Sequence, residues 1–395
     1  MASTPRVLEL DVLRGLSILL VLAGHTPIHP EVHSWLYSPL TWLNGVGWTG
    51  VDIFFVLSGF LVGGLLLKEY QQTGTLVPWR FWVRRGFKVW PAFYVFLSTM
   101  FAVDVAFMER GSASARAAAA LAKYWPNWFH IQNYVDGHLG WLWTLALEEH
   151  FYLLLPLVLA GVLGTSAGRR RLTSAQIGRR MTSCFAAIVV TCTLLRWWSL
   201  DHGVARLFET THLRVDSLFC GVFLAYLVRF HGGKVQRLRP WRYVILIASL
   251  SVWVPFYLDR AGNPHVLFYP WGFILLYAGA SGLVLVAHLA STAPVRLAGP
   301  LRRAALWPMH WLGWLGVRSY AVYIWQGYLA QPIARRACDV LHLAGTRPGA
   351  EGWTHDFIYF AAYIGLGALM YALVELPGLR LRQRLVPAFQ AAAVR

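Results

Sequence analysis

Arg14 and His25 stand eleven positions apart, and every residue between them, Gly15 to Gly24, is apolar or small. On insertion scales an ionisable group deep in lipid costs roughly 2.5–3.5 kcal/mol, so such a group ordinarily faces a protein interior or a wet cavity and has a function there. At about 1.5 Å per helical residue the two groups are roughly 16 Å apart along an axis, about half of a roughly 30 Å hydrocarbon core. An arginine is suited to gripping a phosphate, and an imidazole to taking and returning a proton near neutral pH. One helix carrying both, at different depths, predicts a site reached from both sides of a membrane.

The elements that must position these groups follow from composition. The chain has 395 residues, of which 57% are hydrophobic and 13% charged. Soluble domains carry about 25% charged residues, so a polytopic membrane protein is expected. Long apolar segments fall at about 8–27, 47–67, 83–107, 141–163, 182–200, 212–229, 241–258, 267–290, 317–334 and 355–376. In lipid the backbone is satisfied only within helices or closed barrels, and the alternating ten-residue pattern of a barrel is absent. The expected fold class is all-α: a polytopic helix bundle of about ten transmembrane helices.

The net charge of +17 does not indicate nucleic acid, because of where it sits. Basic residues crowd the connections at 68–88, 164–181, 229–242 and 291–318 and the tail after 377, while the connection at 28–46 has no Lys or Arg. That alternation is a topology signal and predicts both termini in the cytoplasm. The 164–180 stretch reads as a basic cytoplasmic loop and 377–395 as a basic cytoplasmic tail, within a single domain. Residues 299–316 read as an interfacial helix, and the aromatics Tyr124, Trp125, Trp128, Phe129 and Tyr134 of the outer connection as interfacial anchors. Residues 1–24 have the outline of a signal peptide, but His25 stands where a lipoprotein signal would need Cys, and cleavage is not expected.

This topology gives each polar group a depth. Arg14, Arg85 and Lys88 fall at the inner level; His25, Asp52 and Glu148 at the outer. Basic groups at a cytoplasmic mouth suit a phosphorylated ligand, and an imidazole beside a carboxylate suits general-base work. Arg84 reads more simply as a side chain snorkelling to the cytoplasmic surface. His25, His29 and His33 share a four-residue spacing, but Pro27 and Pro30 break any helix there, and no metal site is expected. There is no glycine-rich phosphate loop and no GxSxG elbow. Cys184, Cys192, Cys220 and Cys338 form no CxxC pair.

Seven local sequences, in order, resemble the integral-membrane acyltransferase-3 family: LDVLRG at 10–15 followed by His25, GVDIFFVLSGFL at 50–61, FWVRRGFKVWPAFY at 81–94, WTLALEEHFYLLLPL at 143–157, RVDSLFCGVFLAYL at 214–227, LGVRSYAVYIWQ at 315–326 and VELP at 374–377. The resemblance implies transfer of an acyl group, usually acetyl, from cytoplasmic acyl-CoA to a hydroxyl of a sugar or other acceptor. It implies that His25 is the general base, that Glu148 rather than Glu149 is the motif carboxylate, and that Arg14, Arg85 and Lys88 serve the acetyl-CoA donor. No metal and no nucleic acid are expected; the expected partners are the donor, a hydroxylated acceptor and membrane lipid. A bacterial cytoplasmic membrane is the expected location.

The chain departs from the family pattern at several points. Lys88 replaces the second Arg of an RxxR pair and lacks the bidentate phosphate geometry of guanidinium. Thr144 replaces a Ser, Gln326 a His that could titrate, and Leu376 the Arg of Glu-Arg-Pro. The expected route is direct transfer with His25 as base, oriented by Asp52 or Glu148; no Ser or Cys nucleophile is evident beside it. The alternatives are acylation of a macrolide, lipid or amine by the same fold, and transport of an acylated small molecule. The two halves show no matching pair of broken helices, which weighs against transport.

Overall fold

The computed structural model describes residues 7–26, 43–108, 112–135, 138–164, 172–202, 208–258, 268–292, 299–343 and 350–386. Every regular element among them is a helix. Among the described residues six helices are long and apolar enough to cross a membrane: Gly47–Thr73, Pro78–Phe107, Gly140–Leu163, Ser174–Trp198, Pro270–Ser291 and Trp353–Leu385. The segments read at 8–27 and 212–229 are also helical, Leu8–His25 (α1) and Thr211–Phe230, but carry Glu9, Asp11 and Arg14, and Arg214, Asp216 and Arg229. The segment read at 241–258 is two short helices, Arg242–Ser251 and Trp253–Leu258. His29, His33, Arg169, Arg170, Arg171 and the tail beyond Val386 lie outside the described residues.

The chain divides into two compact units. The first comprises Met1–Leu57, Gly233–His265 and Gly272–Tyr371; the second Ser58–Gly232, Val266–Trp271 and Ala372–Arg395.

In the first unit α1 packs against the helix Gly299–Trp325. The interface is built on small residues: a Cβ on Gly15 would collide with the Leu312 carbonyl oxygen, and one on Gly316 with that of Asp11. Without a hydrophobic drive in lipid, close backbone approach of this kind is what joins membrane helices. The helix Gly299–Trp325 is continuous, so the stretch at 299–316 runs without a break into the segment expected to span the membrane. It ends in a π turn, Gln326–Ala330, before the helix Gln331–Val340; the helix Ala350–Met370 packs beside it.

In the second unit α2 (Gly50–Thr73, from Ser58 onward), α3 (Pro78–Phe107), α4 (Ala113–Trp128), α5 (Trp143–Leu163), α6 (Ser174–Trp198) and α7 (Thr211–Phe230) follow one another. Their ends follow local chemistry. Pro78 sits in the first turn of α3, where its missing N–H is not needed. Gly164, with φ 67°, closes α5 in the left-handed conformation. Thr173 and Gln176 form a capping box, so the last part of the stretch read as a basic loop is already helix. Lys123 and Tyr124 of α4 both bond Asp104 Oδ2, at 2.6 and 2.9 Å, and fix α4 to the end of α3.

A bidentate ion pair inside the second unit joins α6 to α7. Arg196 Nη2 and Nη1 lie 2.8 and 3.1 Å from the Asp216 oxygens, with both side chains at 0% exposure. Arg196 also donates to the Leu213 carbonyl at 2.7 Å and to Thr193 Oγ1 at 3.2 Å, so both Nη atoms are satisfied, while Nε has no hydrogen-bond partner among the described residues.

Candidate active site

The C-terminal end of α1 is closed by side chains. The last carbonyls of any helix lack partners within it. Here the Thr26 hydroxyl donates to the Leu22 carbonyl at 2.9 Å, the Asn44 amide to that of Ala23 at 2.7 Å, and the Tyr363 hydroxyl to that of His25 at 3.5 Å. The helix stops because Thr26 is extended and Pro27 follows.

The Val21 carbonyl pairs with His25 Nδ1 at 2.8 Å. A carbonyl oxygen only accepts, so Nδ1 carries the hydrogen and Nε2 keeps its lone pair. The imidazole lies on the exposed side of the helix end. The sequence reading asks a carboxylate to hold the ring. Within α1 itself a backbone carbonyl one turn back already does so.

Asp52 is fully buried at the start of α2. The turn before it presses on α1: a Cβ on Gly50 would stand 2.6 Å from the Ser17 carbonyl, and one on Gly47 2.5 Å from the Gly24 nitrogen. Glycine at both positions is therefore what brings this carboxylate's helix against the half of α1 that bears His25. Arg14, ten residues before Gly24, is ion-paired to Asp11 at 3.0 Å and about a quarter exposed. Asp11 is a partner the sequence reading left unassigned, although its spacing of three on a helix was visible.

In the second unit the predicted groups gather on α3 and α5. Arg85 donates to the hydroxyl of Tyr152, and its guanidinium carbon lies 3.8 Å from the centre of that ring. Ser58 Oγ shares a hydrogen bond with the same hydroxyl at 2.5 Å. Neither Ser58 nor Tyr152 was given a role from sequence, though Tyr152 closes the WTLALEEHFY block one turn after Glu148. Lys88 lies one turn beyond Arg85 on α3.

Glu149 Oε2 accepts from Trp90 Nε1 at 3.0 Å. Glu148 is half-buried and has no hydrogen-bond partner among the described residues. The two adjacent carboxylates are thus distinguished: one is committed to an indole and the other is available. Arg84 donates to the Val386 carbonyl at 2.5 Å, at the end of the helix Leu376–Leu385, which also rests Gly378 on Pro91 of α3. Its bond is to the backbone, and its task is to dock that helix. No group of His, Cys, Asp and Glu among the described residues has the arrangement of a metal site.

A helical protein that ends its first helix on a histidine whose Nε2 has no partner among the described residues is compatible with the acyl transfer that its Arg-x10-His resemblance implies. The model of the acyltransferase-3 family, described as an acyltransferase domain, matches residues 7–372. The chain belongs to that family. It is 28% identical over 380 residues to the peptidoglycan O-acetyltransferase OatA of Listeria monocytogenes, covering 93% of this chain and 55% of that protein. It is also 28% identical over 327 residues to a provisionally named O-acetyltransferase of Staphylococcus aureus, covering 80% of this chain and 49% of that one. A provisionally named peptidoglycan O-acetyltransferase, YrhL of Bacillus subtilis, is 28% identical over 332 residues, 80% of this chain and 47% of its own length. The chain spans about half the length of these curated relatives. No solved structure matches it.

Proposed function

We propose that this protein moves an acetyl group from acetyl-CoA on the cytoplasmic side of a bacterial cytoplasmic membrane to a hydroxyl of a glycan, the acceptor class named for its relatives. The reading takes the chain as ten membrane helices with both termini cytoplasmic. The observation that supports it is the 2.8 Å contact of His25 Nδ1 with the Val21 carbonyl, which assigns the hydrogen to Nδ1 and gives Nε2 the lone pair a base needs.

In this mechanism His25 Nε2 takes the proton of the acceptor hydroxyl as its oxygen attacks the thioester carbonyl. The tetrahedral centre then collapses, the C–S bond breaks, and the imidazolium returns the proton to the departing CoA sulfur. No net proton is gained or lost. Asp52 or Glu148 supplies the negative charge that stabilises the imidazolium. Arg14, Arg85 and Lys88 hold the phosphates of CoA; the Arg85 fork is set by Tyr152 before the donor arrives.

The test is thiol release from acetyl-CoA by the purified protein in detergent, with a panel of soluble glycans. Glycan-dependent release by the native chain, absent from a folded His25→Ala variant, is expected. Near-native turnover in that variant refutes the mechanism.

A further inference from the structure

At the end of α4 and in the start of its connection to α5, residues 125–135 contain no Asp, Glu, Lys or Arg. Within 127–133, six buried side-chain atoms have no hydrogen-bond partner among the described residues: both amide atoms of Asn127, both ring nitrogens of His130, Gln132 Oε1 and Asn133 Oδ1. Asn127 is 0% exposed and His130 8%. Native structures leave few buried polar atoms unmet, and a concentration of them calls for a functional explanation. His130 also has φ 55°, a left-handed backbone uncommon outside glycine and frequent at functional sites.

The rest of the segment is firmly held. Gln132 Nε2 donates to the Leu142 carbonyl at 2.9 Å, and Asn133 Nδ2 to Thr211 Oγ1 at 2.8 Å. His150, two residues past Glu148, shares a 2.7 Å bond with the same Thr211 hydroxyl. The His130 ring stacks on Phe93 with centroids 4.4 Å apart. The scaffold is thus built and tied to the helix of Glu148, while the six atoms stay unspent. Around them Trp125, Phe129 and Tyr134 are exposed.

We propose that this connection is the acceptor subsite and that Asn127, His130, Gln132 and Asn133 bind the hydroxyls of an uncharged carbohydrate unit, with exposed aromatic rings as stacking faces. The inference rests on the glycan-acceptor reading above and deepens it. A hydroxyl both donates and accepts, and the free set offers both: a carboxamide N–H and an imidazole N–H as donors, three carbonyl-type oxygens and an imidazole nitrogen as acceptors. Burial lowers the His130 pKa to about 4, so the ring is neutral and keeps one nitrogen of each kind. A phosphate or carboxylate finds no cation in the segment, and a lipid tail leaves all six atoms unmet. The atoms are closed to solvent in the free protein, so binding includes an opening of the connection.

The experiment is calorimetric titration of the full-length protein in detergent with a β-1,4-linked tetrasaccharide of N-acetylglucosamine, for the native chain and for Asn127→Ala, His130→Phe and His25→Ala. Acetyl-CoA binding to the same samples serves as the folding control. Asn127→Ala and His130→Phe are expected to weaken tetrasaccharide binding at least tenfold, His25→Ala less than twofold. Asn127→Ala is expected to melt no lower than the native chain, because it removes an unmet amide. Native-like tetrasaccharide binding by both connection variants overturns the subsite and leaves the glycan reading standing. Loss of acetyl-CoA binding together with tetrasaccharide binding shows a purely structural role and also overturns it. A native chain that binds no tetrasaccharide, yet releases thiol with a non-carbohydrate alcohol, overturns the glycan reading and the subsite with it.

Discussion

Replacing Tyr152 by Phe separates two ways in which Arg85 is held. The ring beneath the guanidinium, 3.8 Å from its carbon, is retained. A cation–π contact of this type contributes about 0.5–2 kcal/mol and largely survives the change. The hydroxyl that accepts from Arg85 Nη2 is removed, and Tyr152 is only 2% exposed, so water does not replace it easily. A hydrogen bond to a charged group contributes about 1.5–3 kcal/mol, so the hydroxyl outweighs what the ring keeps. At about 1.4 kcal/mol per tenfold, Arg85 loses a factor of roughly 10 to 100 in occupancy of its set position. If that position is the one that receives the CoA phosphates, the KM for acetyl-CoA rises by about that factor while the KM for acceptor stays the same. Thiol-release kinetics with each substrate varied in turn, and direct CoA binding, measure both. Arg85→Lys should match the loss, since lysine lacks the planar fork. An unchanged donor KM refutes the assignment of Arg85 to the donor. A lowered one means that Tyr152 competes with the donor for the guanidinium.

Three further expectations follow from the packing. Asp216→Asn leaves the Arg196 charge unpaired at 0% exposure and should cost about 3–5 kcal/mol, while the double change Arg196→Met with Asp216→Leu should recover most of it; thermal unfolding in detergent reads both, and an unchanged midpoint for the single variant contradicts the buried pair. Gly15→Ala forces a Cβ onto the Leu312 carbonyl and should destabilise by about 1–3 kcal/mol, whereas Gly365→Ala, with open space around it, should be neutral or stabilising by up to about 1 kcal/mol; equal effects would deny the tight crossing of α1. His130 is held neutral, its pKa lowered from 6.5 to about 4 by burial with a smaller contribution from His150. The unfolded state therefore binds more protons between those values, so the stability from this group is whole above pH 6.5 and is lost as pH falls toward 4. At pH 5 the loss is about 2 kcal/mol, and His130→Phe should flatten that part of the melting-temperature profile.

Some of the site was legible because the signals were local. Arg14, His25, Asp52 and Glu148 stand out as polar residues in apolar surroundings, and the cost of burying them needs no coordinates to be seen. The pairing of Asp11 with Arg14 was equally local and was passed over. The Arg196–Asp216 pair was hidden for a different reason: its partners are twenty residues apart on two helices, and only the packing of α6 on α7 brings them within 2.8 Å. Arg84 and Arg85 are neighbours of identical type, yet one docks a helix through the Val386 carbonyl and the other lies on Tyr152. Which face of α3 each takes follows from the helix, but what waits there does not.

The sequence by itself determined the environment and the chemistry on offer: apolar segments that must be helices in lipid, basic connections whose alternation is a topology signal, and a histidine at the end of the first helix. These follow from hydropathy, charge and spacing along the chain. Only the tertiary structure decided how that chemistry is deployed. It committed Glu149 to Trp90 and left Glu148 without a hydrogen bond among the described residues, set Arg85 on Tyr152, whose hydroxyl also bonds Ser58, and enclosed polar atoms of Asn127 and His130 without a partner among those residues. The bonds among these join groups far apart in the chain that packing brings within about 3 Å, the range over which a hydrogen bond forms, and the unmet atoms are those to which packing brings no such group.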